Sequence, residues 1–127
     1  MDTMSSPPEY AVSDADLDAM RRIPEVEHVD RRKWSTMGLV VDLHPMRHRG
    51  GQLLPGCTIE IRTNGGKGQR LRIRYLRDAK GYRHMHPLQP WNSCLCLGNI
   101  SRTISKLIKR REYAAVVNLL VQFLKEG

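Results

Sequence analysis

The residues best suited to chemistry in this 127-residue chain lie in one short segment, residues 84–99, which reads HMHPLQPWNSCLCLGN. It contains two of the three cysteines, Cys94 and Cys96, and two of the five histidines, His84 and His86. Thiolate and imidazole groups bind zinc, and a thiolate is also a nucleophile. The segment therefore has three interpretations: a metal site, a thiol active site, or a structural corner with buried cysteines.

The spacing of these ligand types argues against a closed zinc site. Structural zinc sites usually place roughly two to four residues between paired cysteines. Here single residues separate His84 from His86 and Cys94 from Cys96. A nucleophilic cysteine instead needs a partly exposed, polar setting that stabilises its thiolate. Cys96 lies among proline, tryptophan, asparagine and glycine residues, which fits an irregular segment presenting backbone amides; a buried structural cysteine is the alternative.

The same segment resembles the active-site region of the ubiquitin-conjugating enzymes. His86-Pro87 matches the start of the family's His-Pro-Asn motif, and Cys96 follows His86 by ten residues inside a Leu-Cys-Leu triplet. That is the spacing and setting of the family's catalytic cysteine. The short HP…CLGN arrangement is more similar to bacterial ubiquitin-conjugating-like proteins than to eukaryotic ones. The resemblance implies an α+β, UBC-like fold with an N-terminal helix, an antiparallel β-meander, an active-site loop and a C-terminal helix.

The resemblance also implies a reaction and its participants. Cys96 would accept a ubiquitin-like protein from an activating enzyme as a thioester and pass it to an acceptor nucleophile on a protein target. His86 and Pro87 would brace the loop, with His84 beside them, and no metal or other cofactor would be needed. Bacterial relatives are often encoded beside these partners, some in antiphage defence, and the resemblance implies that context.

The sequence departs from the family motif at the asparagine position, which is Leu88. In the family that amide stabilises the oxyanion when an amine attacks the thioester, and leucine has no hydrogen-bond donor. Asn92 and Asn99 are the candidates to replace it. The family's YPFxPP segment is also absent, and RDAKGYRHM stands in its place. These departures keep a non-catalytic interaction module of the same fold as the alternative function.

The composition indicates a single basic domain. Hydrophobic residues make up 40% of the chain and charged residues 27%, with a formal net charge of +8, as in ordinary globular proteins apart from the charge. Residues 1–13 are predicted to be a flexible N-terminal arm and residues 14–127 one UBC-like domain. No signal peptide or membrane span is predicted, and three cysteines without an even pairing favour reduced thiols in the cytoplasm.

Apolar periodicity predicts the strands that position the segment. The run MGLVVDL, residues 37–43, is typical of a buried strand, and the alternating runs CTIEIRT and RLRIRYL predict a hairpin across NGGKG. The hairpin would have one apolar face and one arginine-rich face. Related conjugating enzymes bind a ubiquitin-like protein non-covalently on that face, so the resemblance makes Arg62, Arg72 and Arg74 candidate partner contacts; a solvated, edge-protecting face is the alternative.

The helices are predicted from capping residues and from spacings of three and four. Ser13 or Asp14 would cap a short helix over DADLDAMRRI; SRTISKLIKRR predicts a second helix and REYAAVVNLLVQFLKEG the clearest one. A nucleic-acid partner on the sheet is disfavoured, because aromatic residues are 6% of the chain and Tyr75 alone on RLRIRYL could stack on a base.

Overall fold

A computed structural model gives the fold of the protein. It describes residues 12–32, 38–51, 53–54, 56–63, 71–75 and 100–126, with residues 72–75 described by their backbone. Their order along the chain is a helix, six strands and two further helices. This confirms the predicted α+β class.

The first helix, α1, spans Asp14–Arg21 and begins at a capping box. The Asp16 N–H donates to Ser13 Oγ at 3.0 Å, and the Ser13 N–H donates to Asp16 Oδ2 at 3.1 Å. These bonds satisfy amides that a helix start otherwise leaves without partners. Leu17 and Met20 are buried on one side of the helix. The predicted helix and its serine cap are therefore confirmed.

The residues just before α1 are attached to the domain. Val12 is buried in the core, and its carbonyl accepts a hydrogen bond of 2.6 Å from Arg31 Nη1. The second nitrogen of the same guanidinium group pairs with Asp14 at 2.9 Å. The rest of the predicted arm, residues 1–11, lies outside the described residues.

Six strands follow α1: β1 (Val26–Arg31), β2 (Leu39–Leu43), β3 (Met46–Arg47), β4 (Leu53–Leu54), β5 (Cys57–Ile61) and β6 (Leu71–Tyr75). The main sheet has the order β1-β2-β5-β6, and every neighbouring pair in it is antiparallel. The short β3–β4 ladder forms a separate sheet within the β2–β5 connection. The predicted hairpin is confirmed, because β5 pairs with β6 in a register that sets Ile59 opposite Ile73.

The main sheet has a core face and an outer face, which alternate along each strand. Core-face residues of the two central strands are at most 1% exposed: Leu39, Val41, Leu43, Cys57, Ile59 and Ile61. The register places eight positions on the outer face: His28, Asp30, Val40, Asp42, Thr58, Glu60, Arg72 and Arg74.

Helices α2 (Ser101–Lys109) and α3 (Tyr113–Glu126) join α1 in one hydrophobic core with the core face of the sheet. Ile104 and Ile108 of α2 are buried. The buried side chains of α3 follow a helical period: Tyr113, Val116, Val117, Leu120, Val121 and Leu124. The predicted apolar stripe of this helix is confirmed, with Phe123 partly buried at its margin. Within the described ranges, no helix is both long enough and apolar enough to cross a membrane.

A Schellman turn joins α2 to α3. The Glu112 N–H donates to the Leu107 carbonyl and the Arg111 N–H donates to the Ile108 carbonyl, both at 3.0 Å. These are the two bonds of the motif, which satisfies the last carbonyls of a helix. Arg111 has a φ of 59°, the left-handed conformation that glycine usually supplies at this position.

The far end of α3 is attached to the start of the sheet. Lys125 Nζ forms an ion pair with the Glu25 carboxylate, just before β1. The Lys125 carbonyl accepts a 2.7 Å hydrogen bond from the Arg49 N–H, and the Glu25 carbonyl accepts one of 2.9 Å from the His44 N–H. Chiefly through the hydrogen bond from Lys125, the pKa of Glu25 is lowered from its ordinary value. The last turn of α3 is therefore fixed against the residues just before β1 and just after β3.

Candidate functional site

The segment predicted to carry the chemistry lies between β6 and α2, and its residues fall outside those the structure describes: Cys96, His84, His86, Pro87, Asn92 and Asn99. The elements on either side of it are described. Strand β6 is at one edge of the main sheet and ends at Tyr75. Ile100, directly before α2, is partly buried against the core. The described structure therefore fixes only the two ends of the 76–99 connection that contains the segment, Tyr75 on β6 and Ile100 before α2.

Cys57, the third cysteine of the chain, has the properties of a structural residue. It is 1% exposed and lies in the hydrophobic core. Burial, with a smaller contribution from the nearby charge of Asp42, raises the pKa of its thiol to about 12. At neutral pH this thiol is protonated and shielded from solvent, so it cannot act as a nucleophile. Thiol chemistry by this chain therefore depends on Cys94 or Cys96.

Metal binding gains no support from the described part of the chain. There, no three histidine, cysteine, aspartate or glutamate side chains lie together in a group that could hold a metal ion. The four residues considered as zinc ligands, His84, His86, Cys94 and Cys96, lie outside it.

The three arginines predicted to contact a partner occupy one side of the outer face. Arg62 directly follows β5 and is partly exposed. The register sets Arg72 opposite Glu60 and Arg74 opposite Thr58. Opposite charges on facing residues of neighbouring strands attract one another. The arginine positions of β6 therefore adjoin a carboxylate on β5.

Further carboxylates lie across the rest of the outer face. Asp42 accepts a 2.8 Å hydrogen bond from Thr58 Oγ1. At the far strand, Asp30 pairs with Arg32 at 3.2 Å. The hairpin alone predicts an arginine-rich face, but β1 and β2 add acidic residues to it. The complete outer face of the sheet is therefore of mixed charge, with its arginine positions near the β6 edge.

The sequence patterning overlooked a second charged surface, on α2. The apolar periodicity predicts the helix from its isoleucine and leucine residues, and it carries no information about the basic residues between them. Arg102, Lys106 and Lys109 are all exposed, and at 100° per residue they lie on one side of the helix. Projecting residues 101–110 on a helical wheel is enough to find this grouping.

Comparison of the chain with protein-family models, with curated proteins and with solved structures finds no match.

Proposed function

We propose that the protein is a ubiquitin-conjugating-like acyltransferase with Cys96 as its nucleophile. The observation that carries the proposal is the position of a His-Pro…Cys motif in the order of elements. His86-Pro87 and Cys96, ten residues apart, follow a helix and a four-stranded antiparallel meander and precede a hydrophobic C-terminal helix. The ubiquitin-conjugating enzymes, which the sequence resembles, carry their catalytic cysteine in that order.

The proposed reaction is two successive acyl transfers. The Cys96 thiolate attacks the carbonyl carbon of a ubiquitin-like protein held as a thioester on an activating enzyme, and that enzyme's cysteine leaves as a thiolate. An acceptor nucleophile, such as an amine, then attacks the Cys96 thioester. Cys96 is released as a thiolate and the amine loses a proton, so that an amide forms. ATP is consumed by the activating enzyme alone.

The choice of Cys96 rests on elimination as well as on the motif. Cys57 is buried, with a pKa of about 12, and cannot exchange thioesters without unfolding. Cys94 is eight residues after His86 and therefore does not match the family spacing. Arg62, Arg72 and Arg74 are the proposed contacts for the ubiquitin-like protein, at the part of the outer face where the arginine positions lie.

The test is a charging assay with ATP, an activating enzyme and its ubiquitin-like protein, this pair being sought among the genes adjacent to the one for this chain. We expect an adduct on non-reducing gels that thiol removes and that Cys96→Ala abolishes. Cys96→Ser is expected to give an oxyester that resists thiol and is cleaved by alkali. Cys94→Ala is the matched control and should charge normally. A charged activating enzyme that never passes its cargo to the wild-type protein would refute the proposal.

The second candidate is a non-catalytic interaction module of the same fold. Leu88 favours it, because leucine cannot supply the oxyanion donor of the family motif. This candidate predicts that the ubiquitin-like protein binds reversibly and that binding is unchanged in Cys96→Ala. It also predicts weaker binding in Arg62→Ala. Reversible binding in titration calorimetry, together with no thiol-sensitive adduct in the charging assay, would assign the protein to this second function.

A further inference from the structure

We propose that the exposed side of α2 binds the phosphate backbone of a duplex nucleic acid. This surface, named here the basic stripe, consists of Arg102, Lys106, Lys109 and Arg110, with Arg111 directly after it. All five side chains are exposed. Within the described part of the chain, none of the five has an ion pair or side-chain hydrogen bond. The proposal is independent of the conjugating function.

The helical projection concentrates these charges. Arg102, Lys106, Lys109 and Arg110 fall within roughly 100° of the helix circumference and extend over about 12 Å of its axis. Ile104 and Ile108 lie on the opposite side and are buried. The buried side fixes the orientation of the helix, so the stripe faces solvent as a row of cations about one turn apart.

Helix stability alone does not account for the stripe. Cations near the C-terminus of a helix are favourable with its dipole, which accounts for Lys106 and Lys109 in the last turn and for Arg110 directly after it. Arg102 is instead in the first turn, where a cation is unfavourable, and that turn contains no acidic residue. Arg102 and Lys106 are also like charges four residues apart, an arrangement that weakens a helix. Arg102 therefore destabilises the helix that carries it, and its repulsion with Lys106 offsets part of what Lys106 contributes in the last turn.

The chemistry of the surface favours a phosphate backbone over an acidic protein. Stable protein interfaces need buried apolar or aromatic anchors. Leu53, on β4, is the exposed large hydrophobic residue of the described chain, and α2 contributes none. Phosphate contacts need cations and hydroxyl donors, and Ser101 and Thr103 are exposed beside the stripe. Without an aromatic residue to stack on bases, the stripe suits a duplex better than a single strand.

The test measures fluorescence anisotropy of a labelled 20-base-pair DNA duplex over a range of potassium chloride concentrations. Each phosphate contact adds about −0.9 to the slope of log K against log salt, so four contacts give about −3.6. Arg102→Gln/Lys106→Gln should change the slope to about −1.8 and weaken binding roughly 60-fold at 0.1 M salt. Glutamine keeps a good helix propensity, and unchanged far-UV circular dichroism will show that the variant is folded.

A control variant removes the same charge elsewhere. Arg22 and Arg49 are exposed, and the Arg49 amide bonds the last turn of α3, about 20 Å along that helix from the α2–α3 turn. Arg22→Gln/Arg49→Gln should keep the wild-type slope and most of the affinity. Equal losses in the two variants would show a diffuse effect of net charge and overturn the proposal. So would an absence of duplex binding at 50 mM salt. The surface would instead be assigned to an acidic protein if poly-glutamate bound the wild-type protein, lost affinity in Arg102→Gln/Lys106→Gln, and the duplex did not bind.

Discussion

The outer face of the sheet and the exposed side of α2 are both rich in basic residues, yet they differ in what surrounds the charges. On the sheet, the register sets the Arg72 position opposite Glu60, and Asp42 accepts a hydrogen bond from Thr58. On α2, Arg102 and Lys106 have no described ionic partner. Basic residues on the sheet are therefore part of a mixed-charge surface in which carboxylates of the same sheet lie beside them. Those on α2 are exposed and have no such oppositely charged neighbours in the described part of the chain, which leaves them available to an external ligand.

The contrast also shows why a net charge of +8 says little about where a partner binds. Cross-strand neighbours on a sheet can come from distant parts of the sequence. Acidic residues on other strands can therefore offset basic residues that have no acidic neighbour within their own hairpin. A helix places residues three and four apart on one side, so a run of cations in the sequence becomes a surface without such neighbours. Four variants probe the two regions, and the first two concern the sheet.

The largest effect is expected from Gly38→Ala, at the start of β2. A methyl group there would overlap with Thr63 Oγ1, and Thr63 is itself buried. Overpacking of this kind costs about 1–3 kcal/mol, which chemical denaturation will measure. Adding Thr63→Ala should recover part of the loss, because it removes the contacted oxygen. Full stability in the single variant would mean that this end of the sheet is not closely packed.

Thr58→Val removes the hydroxyl that donates to Asp42 and keeps the shape and strand preference of the side chain. Loss of a hydrogen bond to a partly buried carboxylate should lower the free energy of unfolding by about 1–2 kcal/mol. Thr58→Ser, which keeps the hydroxyl, is the control and should lose less. If valine is as stable as threonine, the polar network of the outer face is not structural, and the comparison with α2 fails.

Arg111→Gly should stabilise the protein by about 0.5–1 kcal/mol, because glycine adopts the left-handed conformation of the Schellman turn without strain. Arg111→Ala keeps the strain and should bring no comparable gain. Thermal melting of the three proteins under one buffer gives the ranking. A destabilised glycine variant would reveal a structural contact of the arginine side chain and contradict its assignment as a free surface cation.

The smallest effect is expected from Arg102→Gln/Lys106→Gln, and it has the opposite sign to that of the sheet variants. The variant removes the unfavourable first-turn cation Arg102 and its repulsion with Lys106, but it also removes Lys106 from the last turn, where a cation is favourable. Stability should therefore rise by about 0.3 kcal/mol at low salt. The gain should shrink as salt screens the repulsion. Denaturation at two ionic strengths measures both. A loss of stability would show that these residues support the fold after all.

The local patterns were sufficient to predict α1, the β5–β6 hairpin and α3, because in each the apolar period matches the element. Strand β1 was missed for a physical reason. Its register shifts between Val26 and His28, so the buried residues Val26 and Val29 are three apart instead of two. The β3–β4 ladder is two residues long on each side, too short for any period.

Less of the candidate site could be predicted. The spacing between His86 and Cys96 can be counted in the sequence. Whether their side chains come into contact depends on tertiary packing, which the periodicity of apolar residues does not predict. The charge of the outer face was predicted from one hairpin, which itself contains Glu60, and the further acidic residues Asp30 and Asp42 came from β1 and β2, about 20 to 40 residues earlier in the chain. By contrast, the basic stripe is entirely local and was recoverable from residues 101–110 alone.

The attachment of α3 to the start of the sheet has a consequence for biosynthesis. The ion pair between Lys125 and Glu25 joins residues 100 positions apart, and α3 supplies six of the buried core side chains. A nascent chain whose last helix is still inside the ribosome has an uncovered apolar sheet face, which is prone to aggregation. The domain can therefore reach its native state during synthesis only after α3 has left the ribosomal exit tunnel, and until then the apolar sheet face stays exposed.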